Sequence, residues 1–353
     1  MTQSQPLRPA GSRRNQSMEL FKLFASFMVV LGHTDFHGAL FTFVNVVGRV
    51  AVPGFFAISG FFSYNKSGQV MAKRIKHIAL LTCVGFGVIL GWNCFAVELD
   101  GGSSIGYLRS VFPDAEEFMQ LLILNLSYLC DPMWYMVAAL EVYVMVWAYA
   151  SFFGKEKINY TPLYIVGFCL YCFNLLLGTM YNAVGEHAIF LYRNAIFFGL
   201  PMFTLGIFLR QYGARILENL ALTDRKLVAV VLAGVVLAYL EWTGLGVCES
   251  MLGNCISVVA LMLLMDRHPQ LSEHSGAARL IGFFGPLSTT IYLIHQAVIG
   301  ACNRFMAGWF HASPSWLRPL MILLTTIVTA AAWLCLVELW KKTAKAVKKS
   351  VKT

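Results

Sequence analysis

Long apolar runs alternate with short polar breaks along the whole chain. The runs cover approximately residues 18–36, 41–63, 77–97, 118–130, 133–153, 162–182, 194–212, 226–245, 251–265, 282–305 and 317–340. A helix needs about 20 apolar residues to cross a hydrocarbon core roughly 30 Å thick, and most of these runs reach that length. Lys and Arg gather in the breaks: before residue 18, at 64–77 (Lys66, Lys73, Arg74, Lys76), 154–160 (Lys155, Lys157), 210–226 and 266–279, and after Trp340. The positive-inside rule puts all of these on the cytoplasmic side. An inside start and an inside finish require an even number of crossings, so one of the eleven runs must not span. The run 118–130 is the shortest and is expected to be re-entrant or to lie within the bundle. The pattern predicts an all-α, polytopic membrane helix bundle of about ten transmembrane helices plus that one segment. Glu98, Asp100, Asp114, Glu116 and Glu117 then fall in an acidic outer loop. Residues 1–17 form a cytoplasmic tail, 18–340 the membrane domain and 341–353 a Lys-rich cytoplasmic tail.

Composition sharpens this reading. The 353 residues are 58% hydrophobic and only 13% charged, with a mean hydropathy of +0.65, a balance that excludes a soluble globular domain. The net charge of +9 would point to nucleic acid in a soluble protein. Here it follows from the basic breaks, and no nucleic-acid partner is expected. The polar first 17 residues hold no apolar region or cleavage site of a secretory signal. Most of the nine cysteines lie inside apolar runs, where a thiol acts as a small hydrophobe. Cys169 and Cys172 form a CxxC within a span, read as packing, and no metal is expected; Cys130 and Cys248 could meet on the outer face. No internal repeat is visible, which argues against an inverted-repeat carrier. In the tail, lysines 341, 345, 348 and 352 share one helical face suited to anionic headgroups.

The stretch Met18–Asp35, MELFKLFASFMVVLGHTD, carries the first candidate chemistry. A helix turns about 100° per residue, so the eleven steps from Lys22 to His33 return to within about 20° of one direction, roughly 16 Å further along the axis. Glu19 and Ser26 lie on or near the same stripe. An ionisable stripe in a membrane helix faces protein or water. The competing reading is plainer: a lysine marking one membrane end and a histidine the other.

Other polar groups stand at membrane depth. Arg49 precedes VPGFFAISGFF, where Pro53 and Gly54 are expected to break the helical ladder. Glu141 lies mid-span in WYMVAALEVYVM, and His295 follows Tyr292 in IYLIHQ. Arg49 and Glu141 could form a structural ion pair, and His295 could be a hydrogen-bonded core histidine. The cluster MAKRIKH, with Lys73, Arg74, Lys76 and His77, serves as a topology signal. It would also suit the phosphates of a cytosolic nucleotide cofactor, with Arg74 the best bidentate donor.

Four pieces in order carry a resemblance. RNQSMELFKLFASFMVVLGH, VPGFFAISGFF with Ser59, MWYM with Trp134, and STTIYLIHQ with Tyr292 and His295 together resemble the acyltransferase 3 family of bacterial integral-membrane O-acyltransferases. The likeness covers nearly the whole chain. It implies a cell-membrane enzyme using acyl-CoA, preferably acetyl-CoA, as co-substrate from the cytoplasmic side. The acceptor would be a hydroxyl of an envelope carbohydrate or related precursor. His33 would be catalytic, with Glu19, Lys22 or Asp35 orienting it or tuning its charge, and Lys73, Arg74 and Lys76 would bind the donor. Arg49, Ser59, Trp134, Glu141, Tyr292 and His295 form a polar core of substrate-contacting or structural role. A histidine opposite a cytosolic donor implies a tunnel through the bundle. Lys22 departs from the family, which has Arg there, so positive charge is kept and the planar fork is lost. Two rivals follow from the same residues: a transporter or flippase with His33, Arg49, Glu141 and His295 as its path, and an inactive sensor on the same fold.

Overall fold

The computed structural model describes residues 15–34, 39–111, 114–126, 129–153, 158–184, 193–246, 250–271, 276, 281 and 284–350. Among these residues there is no strand. The polypeptide forms α1 (Gln16–Gly32), α2 (Ala39–Gly48), α3 (Ala51–Ser63), α4 (Gly68–Leu99), α5 (Ser104–Val111), α6 (Ala115–Leu124), α7 (Trp134–Phe153), α8 (Thr161–Val184), α9 (Leu200–Asn219), α10 (Asp224–Leu245), α11 (Leu252–Arg267), α12 (Leu287–Phe305), α13 (Ala307–Ala312) and α14 (Leu317–Ser350). A single π-helical turn, Ala195–Gly199, leads into α9. The all-α membrane bundle expected from the sequence is what the chain forms.

Seven helical stretches among the described residues are long and apolar enough to cross a membrane. Three further segments of the expected ten, α1, α11 and α12, are helices of 17, 16 and 19 residues. Each buries polar side chains: Ser26 in α1, Asn254 and Ser257 in α11, Ser288, Thr290 and His295 in α12. A helix surrounded by protein is free to carry such groups, whereas one facing lipid is not.

α1 is the axis of the bundle. Met18, Phe21 and Ala25 pack into a cluster with α3, α9, α10 and α11. Leu23 and Val30 pack on the other side with α12 and α14. At its start, the Asn15 side chain accepts from the Met18 amide at 3.0 Å, an N-cap that satisfies one of the free donors of the first turn. The same end is tied to the end of α11: Gln16 donates to the Pro269 carbonyl at 2.8 Å, and Ser17 bonds to that of His268. The expected inner breaks also meet one another. Arg267 pairs with Asp224 at 2.7 Å, and the Asn65 amide donates to the Tyr160 hydroxyl at 3.2 Å. At the end of α4, Arg304 holds Asp100 with two bonds of 2.9 and 2.7 Å and keeps its carboxyl below the usual range.

Three expectations change. The 64–77 break is largely helix: Ser67 caps α4 by accepting from the Val70 amide, so Lys73, Arg74 and Lys76 lie on a 32-residue helix. The break in the second span falls at Arg49–Val50, ahead of Pro53, which sits within the first turn of α3. Proline lacks the N–H that would bond the carbonyl four residues back, and its ring clashes with that carbonyl, here Arg49's. Third, the acidic loop contains α5, held by Asn93 to Tyr107 at 2.7 Å.

Among its described residues, the run 118–130 takes part in helix only through α6, ten residues with an Asp114–Glu117 capping box, or about 15 Å of helix, half a hydrocarbon core. It ends at Asn125, left-handed at φ 56. The Asn125 side chain is buried and donates to Glu141 Oε2 at 2.9 Å, while its oxygen accepts from the Ala195 amide at 2.7 Å. In a background lacking other cysteines, native Cys130 and Glu116→Cys should be labelled from the same side of the membrane; labelling from opposite sides would refute a non-spanning segment.

Candidate functional site

The basic face of α4 opens on a cavity of about 520 Å³ lined by Lys22, Ser59, Lys73, Arg74, His77 and, at its inner wall, Tyr135, Ser288 and Tyr292. Lys73 and His77 are one turn apart with Arg74 beside them, so the helix presents all three together. Lys76 stands about 200° round the helix from Arg74 and does not line this cavity. Arg74 Nη1 donates to Ser63 Oγ on α3 at 2.9 Å, which fixes the guanidinium at the mouth. Lys22 pairs with Glu19 at 2.6 Å, both side chains partly exposed. Glu19 is therefore held by Lys22 and does not approach His33.

A second cavity, about 320 Å³, lies at the other end of α1. It is lined by His33, Arg49, Asp131, Trp134 and Arg193 together with small and apolar residues of α1, α2 and α3. His33 is the C-cap of α1: its backbone amide bonds back to Val29 and Val30, so the side chain projects past the last turn and is exposed to the cavity. Asp35 lies outside the described residues. Arg193 grips Asp131 through two bonds of 2.8 and 2.7 Å and lies over Trp134, 5.8 Å from the ring centroid. Arg49 lies 5.1 Å over the Trp242 ring. The Arg49–Glu141 pair allowed by the sequence is replaced by two separate contacts, Arg49 on Trp242 and Glu141 on Asn125. Glu141 lines neither cavity. Asp131, Arg193 and Trp242 were missed in the sequence. Their one signal was an isolated charge or aromatic group at the edge of an apolar run, and their partners lie too far along the chain for periodicity to find.

A file of rings separates the two cavities. Tyr292, at the wall of the first, donates its hydroxyl to the Pro132 carbonyl at 2.5 Å and packs on Tyr135 at 5.4 Å. Its ring lies 5.6 Å from His295, and His295 lies 5.5 Å from His33. The continuous tunnel expected from the sequence is here two chambers that meet across Tyr292 and His295. Cys169 and Cys172 are free thiols, and Cys248 lies outside the described residues.

Placed against known proteins, residues 15–337 match the family model of the acyltransferase 3 type, described as an acyltransferase domain. The chain belongs to that acyltransferase family. No curated protein and no solved structure matches it. Family membership makes this protein a membrane acyltransferase.

Proposed function

We propose that this acyltransferase moves an acyl group, preferably acetyl, from cytosolic acyl-CoA to a hydroxyl of an envelope carbohydrate or related precursor in the cell membrane. The observation that carries the reading is the pair of cavities meeting at the Tyr292–His295–His33 file. The first cavity has the cations a nucleotide phosphate needs and an aromatic, largely apolar inner end for an acyl-thioester arm. The second has polar and aromatic groups for a hydroxylated acceptor, with an imidazole exposed to it. In this reading both termini face the cytoplasm, on the side of the first cavity.

The chemistry requires one bond exchange and two proton transfers, onto His33 and off it again. His33, neutral, takes the proton of the acceptor hydroxyl as its oxygen attacks the thioester carbonyl. The carbon–oxygen bond forms, the carbon–sulfur bond breaks, and the proton leaves with the thiolate as free thiol. Lys22, Lys73 and Arg74 hold the donor. Incorporation of radiolabelled acetyl-CoA into envelope material, dependent on this protein, tests the reading; membranes rich in the protein that transfer no label would end it.

Arg74 gives a test of the donor site alone. Charge-assisted hydrogen bonds contribute about 1.5–3 kcal/mol, so Arg74→Ala should raise KM for acyl-CoA on the order of tenfold to a hundredfold, with kcat little changed. An unchanged KM returns the cluster to a topology signal.

A further inference from the structure

His295 has a property that the proposed reaction does not yet use. It is buried at 2% exposure in the middle of α12, and its Nδ1 lies 2.6 Å from the main-chain carbonyl oxygen of Tyr292, one turn earlier. A carbonyl only accepts, so Nδ1 must carry a hydrogen. The Gln296 side-chain nitrogen, a donor, lies 3.5 Å from Nε2, which agrees with a lone pair there. A doubly protonated ring would be a buried cation, which desolvation disfavours. The helix backbone thereby fixes the neutral tautomer of His295: Nδ1 protonated, Nε2 bare.

The only other imidazole ring against it is that of His33, among the described residues, with centroids 5.5 Å apart and planes tilted by 34°. At that separation a turn of the exposed His33 ring brings one of its nitrogens within hydrogen-bond reach of Nε2. The geometry assigns His295 as the positioning residue for His33: its bare Nε2 accepts the His33 N–H, selects the His33 tautomer and turns the other nitrogen of His33 towards the second cavity. This inference rests on His33 being the base. It accounts for the proton throughout the reaction. His33 gains the acceptor's proton on its cavity-side nitrogen and becomes imidazolium, His295 stays neutral and keeps its bond to the far N–H, and the proton then passes to the departing thiolate. His295 neither gains nor loses a proton and touches no substrate.

Two substitutions separate this role from simple packing, because asparagine reproduces the Nδ1 position of histidine and glutamine reproduces Nε2. His295→Gln keeps an acceptor facing His33, and kcat for acetyl transfer should fall by no more than about tenfold. His295→Asn keeps the bond to the Tyr292 carbonyl but loses that acceptor, and kcat should fall on the order of a hundredfold. KM for acetyl-CoA should be unchanged in both. A residue that only packs α12 would give the reverse order, since Asn preserves its own helix contact. Asn equal to or better than Gln, or a loss confined to KM, overturns the proposal. The ring itself gives an independent readout: in 15N-histidine spectra of the wild-type protein, His295 should be in the Nδ1–H form, and an Nε2–H form overturns the assignment whatever the variants do. Wild-type protein that transfers no acetyl while showing the Nδ1–H form would instead sink the reading of His33 as the base.

Discussion

Replacing His33 with alanine should lower acyl transfer by at least about a thousandfold, at the upper part of what a positioned acid–base group contributes, while KM for acyl-CoA stays near the wild-type value. The structure makes this variant unusually clean. The interactions of His33 that close α1 are made by its backbone amide, which alanine keeps. Its side chain is exposed to the second cavity, so its removal leaves no void in the packed clusters around α1. The first cavity, the proposed donor site, is separate: Lys22, Lys73 and Arg74 line it, and His33 does not. A transition-state role predicts equal losses in kcat and kcat/KM. The measurement is initial-rate transfer from radiolabelled acetyl-CoA in purified membranes, beside equilibrium binding of acetyl-CoA. Full turnover by His33→Ala would remove the proposed mechanism; normal binding with no turnover is the expected pair of results.

The sequence made the ends of this arrangement visible and concealed its middle. A helical period is enough to align Lys22 with His33, and α1 does present both inward. What periodicity could not show is that they line different chambers, roughly 16 Å apart along one axis, with Lys22 paired to Glu19 at 2.6 Å. The shared face is the wall common to both cavities, so in the proposed reaction Lys22 would hold donor charge and would not tune the base. Local chemistry explains the other differences. Pro53 reads as a breaker from sequence, yet its effect is felt at the carbonyl four residues earlier, so the chain turns at Arg49 and delivers that guanidinium to the second cavity and to Trp242. Proximity in sequence groups Lys76 with Arg74, but on a helix neighbours in space are three or four residues apart, and Lys76 does not line the cavity. Contacts such as Arg193 with Asp131 and His295 with His33 join residues far apart in the chain. Only tertiary packing creates them, and no window along the sequence contains both partners.

The largest effect on folding is expected at two glycines where α3 and α9 cross. In lipid there is little gain from hiding apolar surface, and helices associate through close packing, which small residues permit by letting backbones approach. A Cβ at Gly60 would overlap the carbonyl group of Phe203, and one at Gly206 would overlap that of Ala57 and reach within 2.8 Å of the Phe61 amide nitrogen. These obstacles are main chain, so no side-chain rotation relieves them, and the helices must separate. Overpacking typically costs about 1–3 kcal/mol where neighbours can shift; between two rigid backbones the cost should exceed that range. The separation would spread to both cavities, because α3 carries Ser59 and the Pro53 turn on its two ends. Gly60→Val and Gly206→Val should therefore lose most folded protein in detergent, and acetyl-CoA binding with it, in contrast to His33→Ala. Gly87 and Gly91 on α4 supply the control, since a Cβ at either meets nothing within 4 Å. Their valine variants should purify in near-normal yield despite the same change in composition and a β-branched residue in a helix. Equal yields from Gly60→Val and Gly87→Val would mean that α3 and α9 do not meet backbone to backbone, and the placement of both cavity walls would fall with that contact.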